Sequence, residues 1–279
     1  MPELPEAEHT RGILERLAAG RRVVAVEVAD DPIVFEDRDP AWVTARLAGR
    51  RVVAAHRRGK YLWLELDEGP HPILHLGMTG TVRSRGDEPL RLSSSPKATD
   101  RAWPPRFTKL ALTFDDGGEL AFTNARRLGR VLFRDAPRDE KPIARLGFDP
   151  LTDMPSARDF EARLARRPKA ILKALLLDQT FAAGVGNWIA DEVLYQAGLD
   201  PRRRVASLSA EETARLRAKI RHVIATAVRV DARKDAFPKT WLFHHRWGKD
   251  RDAKTSRGEV IEHLEIGGRT TAWVPTRQR

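Results

Sequence analysis

Apolar positions along the chain change period twice. From Glu6 to Gly20, Ile13, Leu14 and Leu17 recur at helical spacing, and Gly20 follows as a stop signal, which predicts one helix. The period then becomes two: Val24, Val26 and Val28 alternate with other residues. Further strands are predicted at Arg51–His56 and Tyr61–Leu66, joined through Arg57-Arg58-Gly59, and at Ile73–Leu76. Lys109–Phe114 and Glu119–Thr123 read as a hairpin closed by Asp115-Asp116-Gly117-Gly118, and Arg130–Phe133 as a short last strand. The expected product is a β-sandwich fronted by a helix, with an exposed loop from Ser84 to Arg106.

Around residues 135–150 the composition turns to proline, aspartate and charge, as in a linker. Beyond it the period is helical. Helices are predicted at Ala157–Arg166, Lys169–Leu177, Asn187–Ala197 and Ser209–Val230, the last opened by a Ser209…Glu212 capping box. The tail from Thr240 to Pro275 reads as two strands joined by a polar, lysine-rich turn. The fold class is therefore α+β, divided into 1–134, a linker at 135–150, a helical domain at 151–235 and a β tail at 236–279.

Charge narrows the partner. Fifty Lys and Arg against 39 Asp and Glu leave +11 over 279 residues, which favours a polyanion, most commonly nucleic acid. With no cysteine, disulfides, thiolate nucleophiles and cysteine-ligated metal centres are excluded. No stretch has the apolar length of a membrane span or the pattern of a signal peptide, so a cytoplasmic protein without membrane contact is expected.

Two stretches carry candidate chemistry. Met1-Pro2-Glu3-Leu4-Pro5-Glu6 would expose the Pro2 secondary amine once Met1 is removed. An α-amine has an ordinary pKa of about 7.7–8.0 against about 10.4 for lysine, so far more of it is uncharged and nucleophilic at neutral pH. Proline is somewhat more basic and would need nearby positive charge. Attack on a sugar carbon yields an iminium, and Glu3 beside it could move protons. The second stretch, Leu176 to Asn187, holds Gly184-Val185-Gly186 between two helices. Glycines allow close backbone approach, the following helix start offers amides to a phosphate, and Asn187 adds a side-chain donor.

Taken together, these motifs resemble the formamidopyrimidine-DNA glycosylase / endonuclease VIII family over nearly the whole chain. The N-terminal hexapeptide is similar to the formamidopyrimidine branch, since endonuclease VIII proteins usually carry glycine where Leu4 stands. The other matching blocks are Arg58-Gly59-Lys60-Tyr61-Leu62, His75-Leu76-Gly77-Met78-Thr79-Gly80, Asn124-Ala125-Arg126-Arg127-Leu128-Gly129, Gln179–Glu192 and Gly267-Gly268-Arg269-Thr270-Thr271.

The resemblance implies a helix-two-turn-helix domain, a β-hairpin finger and base-excision repair of oxidised purines in double-stranded DNA, without cofactor, as a monomer. It implies Pro2 as nucleophile, Glu3 as acid and base, Lys60 for β-elimination and Arg269 for δ-elimination. Without it, Lys60 is simply a cation on a hairpin turn, suited to clamp phosphate and keep Pro2 deprotonated. His75, Lys169 and Asn187 match backbone-contacting positions. Met78 and Arg126 match two of three residues that fill the gap left by a flipped base.

The third gap-filling position, usually Phe, is Leu128, which leaves opposite-base discrimination open. Val274-Pro275-Thr276-Arg277 stands where a Cys-Pro-x-Cys would complete a zinc finger. His244, His245 and His263 lack a fourth ligand at workable spacing, so no metal is expected. The tail resembles a zincless finger held by strand pairing and by Trp241, Phe243, Trp247 and Trp273. His244 occupies the place of a phosphate-binding tyrosine. Asp231–Lys239 is short where family members specialised for 8-oxoguanine carry a longer loop over the flipped base, so the resemblance implies weaker 8-oxoguanine activity, with formamidopyrimidines, hydantoins and abasic sites preferred. Two alternatives stay open: a damaged-DNA-binding protein with little turnover, and an endonuclease VIII-like enzyme for oxidised pyrimidines.

Overall fold

The computed structural model describes residues 2–86, 102–247 and 252–279. The chain forms two compact units, residues 1–145 and 146–279.

In the first unit, helix α1 spans Leu4–Ala18. It starts two residues earlier than the apolar spacing predicts. Pro5 lies in the first turn, where a missing N–H costs nothing, and the Glu6 carboxylate accepts the Glu3 N–H at 3.0 Å. Next come β1 (Val23–Val28), α2 (Pro40–Leu47), β2 (Val52–Arg58), β3 (Tyr61–Leu66), β4 (His71–His75), β5 (Thr81–Ser84), β6 (Thr108–Phe114), β7 (Glu119–Thr123) and β8 (Arg130–Arg134). The strands make two four-stranded antiparallel sheets, in order β1-β6-β7-β5 and β2-β3-β4-β8. Val23, Leu112, Phe114 and Phe122 from one sheet and Leu62, Leu64, Leu74 and Val131 from the other share one core with Leu14 of α1. This is the predicted sandwich.

Two elements escape the sequence pattern. Helix α2 buries only Val43 and Leu47, too little for a visible period; Asp39 caps it by accepting the Trp42 N–H at 2.7 Å. Strand β5 is four residues long and is defined by its ladder to β7, from Thr81↔Thr123 to Ser84↔Leu120. It claims Ser84 from the predicted loop, of which residues 87–101 lie outside the described residues.

The second unit contains α3 (Ala157–Ala165), α4 (Leu172–Leu177), α5 (Asn187–Ala197), α6 (Ala210–Arg229), β9 (Glu262–Ile266) and β10 (Arg269–Trp273). Helix α4 begins at Leu172 rather than Lys169, because Ile171 is extended and bridges to Arg204. The predicted box opens α6: Glu212 accepts the Ser209 N–H at 2.9 Å and Ser209 Oγ accepts the Glu212 N–H at 3.1 Å. The tail differs from expectation. Its hairpin turns at Gly267-Gly268, at φ +59 and +69, and not at a lysine-rich turn. Two successive positive φ angles match the twist of a tight hairpin and suit glycine. The lysine-bearing stretch comes before both strands, and residues 248–251 of it lie outside the described residues. No described helix is long and apolar enough to cross a membrane.

Candidate functional site

Pro2 is buried at the foot of α1. Together with Glu6, His9 and Thr10 of that helix and with Leu76, Gly80, Thr81 and Val82 it lines a shallow cleft. Glu3, the helix N-cap, is 2 % exposed. Burial, reinforced by the neighbouring Glu3 charge, pushes the Glu6 carboxyl up to about 7. Burial, with Asp191 adding to it, does the same to Glu192 in the second unit, also to about 7, although Glu192 accepts the Phe243 N–H at 2.9 Å.

A carboxyl raised in the fold binds a proton there at pH values where the unfolded chain has released it. The resulting stability is full below about 4.5 and is lost as pH rises through about 7. A shift of that size is worth on the order of 3 kcal/mol per group. Melting temperature is therefore expected to fall between pH 5 and about 8, less steeply below about 6.5 because His75, held down to about 4 in the fold, gains stability with rising pH; Glu6→Gln with Glu192→Gln is expected to abolish the fall. An unchanged slope in a melting series of the double variant would refute the assignment.

At one end of the β2-β3-β4-β8 sheet, Arg58, Tyr61, His75 and Arg130 form a cross-strand row. Lys60 precedes Tyr61 on the β2–β3 turn, where Gly59 takes φ +57. Burial, then the charges of Lys60 and Arg130, hold His75 down to about 4, so its imidazole is neutral at pH 7. The Tyr61 ring lies 4.8 Å from it. This corner concentrates positive charge around a neutral N–H donor.

Met78 and the Arg126–Leu128 segment lie on two loops that the fold ties together. Gly77 takes φ +63, and a Cβ there would sit 2.4 Å from the Leu128 carbonyl carbon. A Cβ on Gly80 would meet Leu76 O at 2.2 Å, and one on Gly129 would meet Asn124 Nδ2 at 2.2 Å. The knot is Asn124, which is fully buried. It donates to Leu76 O at 3.2 Å and accepts the Leu128 N–H at 2.9 Å and the Gly129 N–H at 3.2 Å. Arg127, at φ +54, pins the same segment by pairing with Asp31 at 2.9 Å, a buried carboxylate that also holds Lys109 at 2.8 Å. Arg126 and Leu128 are left exposed. In the sequence Asn124 is only the first residue of the Asn124–Gly129 motif, and a polar residue after a strand gives no signal of such a role. Asn124→Ala strands these backbone groups and is expected to cost about 3 kcal/mol, read by urea unfolding.

In the second unit, Gln179 shapes the turn between α4 and α5. Its amide donates to Leu177 O and Val185 O, both at 2.8 Å, and accepts the Gly184 N–H at 3.0 Å. Asn187, at the start of α5, donates to Thr270 O at 2.8 Å, and a Cβ on Gly267 would lie 3.7 Å from the Ala174 side chain. The hairpin bearing exposed Arg269 is thus seated on α4 and α5. Lys169 is exposed on the approach to α4, and its carbonyl accepts from Arg204 at 2.9 Å. Half-buried His244 lies 3.3 Å from Phe237 O. The structure brings Asn187 and the Arg269 hairpin together and adds a group not anticipated: fully buried Lys173 and Asp191 form an ion pair that Arg246 completes.

Family models match both halves of this architecture. The formamidopyrimidine-DNA glycosylase N-terminal domain matches residues 1–131, and the H2TH domain of the same enzymes matches residues 146–238. The chain belongs to the formamidopyrimidine-DNA glycosylase family. A formamidopyrimidine-DNA glycosylase of Arabidopsis thaliana is 39% identical over 279 residues, covering 100% of this chain and 71% of the relative. The crystal structure of the Thermus thermophilus MutM (Fpg) protein superposes with a TM-score of 0.76 at 34% identity, covering 99% and 98% of the two chains. A Lactococcus lactis Fpg, non-covalently bound to DNA containing an AP site, superposes at 0.79 with 25% identity and 99% coverage of both chains.

Against a zinc finger of this family, the tail does not fit the metal. The thiolates are missing, and among the described residues no group of three or more His, Asp or Glu could hold an ion. Asp191 of α5 ties the tail to the helices instead. One carboxylate oxygen takes the Lys173 ammonium; the other accepts from Arg246 Nε at 3.0 Å and from the Ala272 N–H of β10 at 3.2 Å. Trp188, Phe237, Trp241 and Phe243 pack beside it with ring centroids 4.9–6.5 Å apart. Trp247 joins Phe243 at 5.3 Å, whereas Trp273 lies under the Arg202 guanidinium at 4.3 Å.

Proposed function

We propose that this member of the glycosylase family is a bifunctional DNA glycosylase/AP lyase acting on oxidised purines in duplex DNA. The reading rests most on the buried Pro2–Glu3 pair at the edge of a cleft, since a solvated leader would have no reason to be packed there. After removal of Met1, the Pro2 nitrogen lone pair attacks C1′ of an extruded nucleotide, and the base leaves with the glycosidic electron pair. Glu3 shuttles protons during ring opening. The resulting iminium acidifies the 2′ proton, so β-elimination expels the 3′ phosphate and δ-elimination the 5′ phosphate. Lys60 serves the first elimination and Arg269 the second, by gripping phosphate as a fixed cation.

In this reading neutral His75, with Lys169, Asn187 and His244, contacts the DNA backbone, and Met78, Arg126 and Leu128 fill the gap left by the extruded base. The segment after α6 favours ring-opened and hydantoin lesions over 8-oxoguanine. It is short and folds back on the end of α6 through the Ala232 N–H to Ala227 O at 2.9 Å, with Ala232 and Phe237 buried, so little chain is left to cover an extruded base. Borohydride trapping on a duplex with one abasic site tests the chemistry, and a lesion panel tests the preference. Tight binding by processed protein with no trapped complex would replace the enzyme with a damage-binding protein.

A further inference from the structure

Phe107 stands apart from the residues assigned above. The residue is 48 % exposed, and it is the aromatic residue among the exposed large hydrophobics of the described first unit. Its backbone takes φ +65, a left-handed conformation that a bulky residue adopts only when its surroundings impose it. A scattered exposed valine or leucine needs no explanation. A phenylalanine that is both exposed and held in this backbone does.

Its position supplies one. The Phe107 carbonyl accepts the Asn124 N–H at 3.0 Å, and Asn124 in turn holds the Leu128 and Gly129 N–H groups. Phe107 is therefore a direct hydrogen-bonded neighbour of the knot that presents Arg126 and Leu128. The Arg106 guanidinium lies over its ring, 4.6 Å from the centroid. An aromatic face backed by a cation, on a surface with exposed Arg106, Arg126 and Arg127, suits a nucleobase on a phosphate backbone.

We propose that Phe107, backed by Arg106, is a stacking platform for the base left unpaired opposite the extruded nucleotide. This rests on the DNA-glycosylase reading above. Leu128 offers that base a wedge without an aromatic face. Phe107 offers the face, and because every base has a π surface it holds the unpaired base with little sequence preference.

The test uses full-length processed protein and a duplex carrying a tetrahydrofuran abasic analogue, with 2-aminopurine opposite it. Binding of the unmodified protein quenches the 2-aminopurine fluorescence through stacking. Phe107→Ala is expected to lose that quenching and to bind the duplex about 5- to 150-fold more weakly, the range for one stacked base. Affinity for undamaged duplex stays unchanged, and Phe107→Trp retains quenching. Phe107→Gly separates function from folding: it relieves the backbone, so its melting temperature equals or exceeds that of the parent while quenching is lost. Full quenching and affinity in both Phe107→Ala and Phe107→Gly overturn the platform. Failure of the unmodified protein to trap any abasic duplex with borohydride overturns the underlying enzyme reading instead.

Discussion

Protein that retains Met1 is expected to give no borohydride-trapped complex with abasic-site DNA, while processed protein gives one in good yield. The reason is electronic. In a peptide bond the Pro2 nitrogen lone pair is delocalised into the Met1 carbonyl, and an amide does not attack carbon at neutral pH. Freed as a secondary amine, the same atom can open the sugar and form the iminium that hydride reduces to a stable amine. The expected loss on retention is on the order of 10³-fold or more, because the covalent step itself disappears. Pro2→Gly, which keeps a terminal amine of lower basicity and frees the backbone, should trap more slowly without abolishing the complex. Mass spectrometry of the N-terminus beside each trapping assay makes the comparison clean. Equal trapping by Met1-retained protein would remove Pro2 from the mechanism and point to an internal lysine such as Lys60.

The second large effect concerns folding of the finger. Asp191→Ala is expected to destabilise the second unit by about 3–5 kcal/mol, the cost of removing one member of a buried ion network. Lys173 and Asp191 are essentially inaccessible and Arg246 is 7 % exposed, so water cannot readily replace the missing carboxylate. The substitution also removes the acceptor for the Ala272 N–H in β10, the strand that begins with Arg269. A fall in melting temperature of roughly 10 °C or more follows for a unit of this size. Replacing all three charges together, as Lys173→Met with Asp191→Leu and Arg246→Met, should recover much of the loss, since a well-packed apolar core avoids the desolvation cost. A single Asp191→Ala change within about 1 kcal/mol of the parent would show that strand pairing and the Trp188–Phe237–Phe243 packing carry the finger without it.

The contrast between these two sites shows how far the chain could be read. Pro2, Glu3 and Lys60 stand out as candidates because what marks them is local: an amine beside a carboxylate at the start of a helix, and a lysine on a turn within a family motif. The lack of cysteine is equally legible and excludes a cysteine-ligated zinc finger. Asp191 was not legible. In sequence it is one acid on a helix, and its partner Arg246 lies 55 residues away. Asn124 was hidden in the same way, its carbonyl partner on Leu76 being 48 residues distant. The short β5 and α2 were missed because four to eight residues hold too little periodicity to compete with turn signals.

By itself, the sequence determined the sandwich strands other than β5, the long helices, the glycine turn before Asn187 and the family to which they belong. Side-chain spacing along a strand or helix is a local property, and motif order survives in the chain. Tertiary structure alone decided which polar groups are buried and what they face. It raised Glu6 and Glu192, kept His75 neutral, knotted two loops through Asn124 and put Asp191 between two cations. It also held Phe107 outward in a backbone that phenylalanine avoids. Burial depends on segments far apart in the chain, and in a low-dielectric interior that distance is what turns an ordinary side chain into a shifted acid or an ion pair.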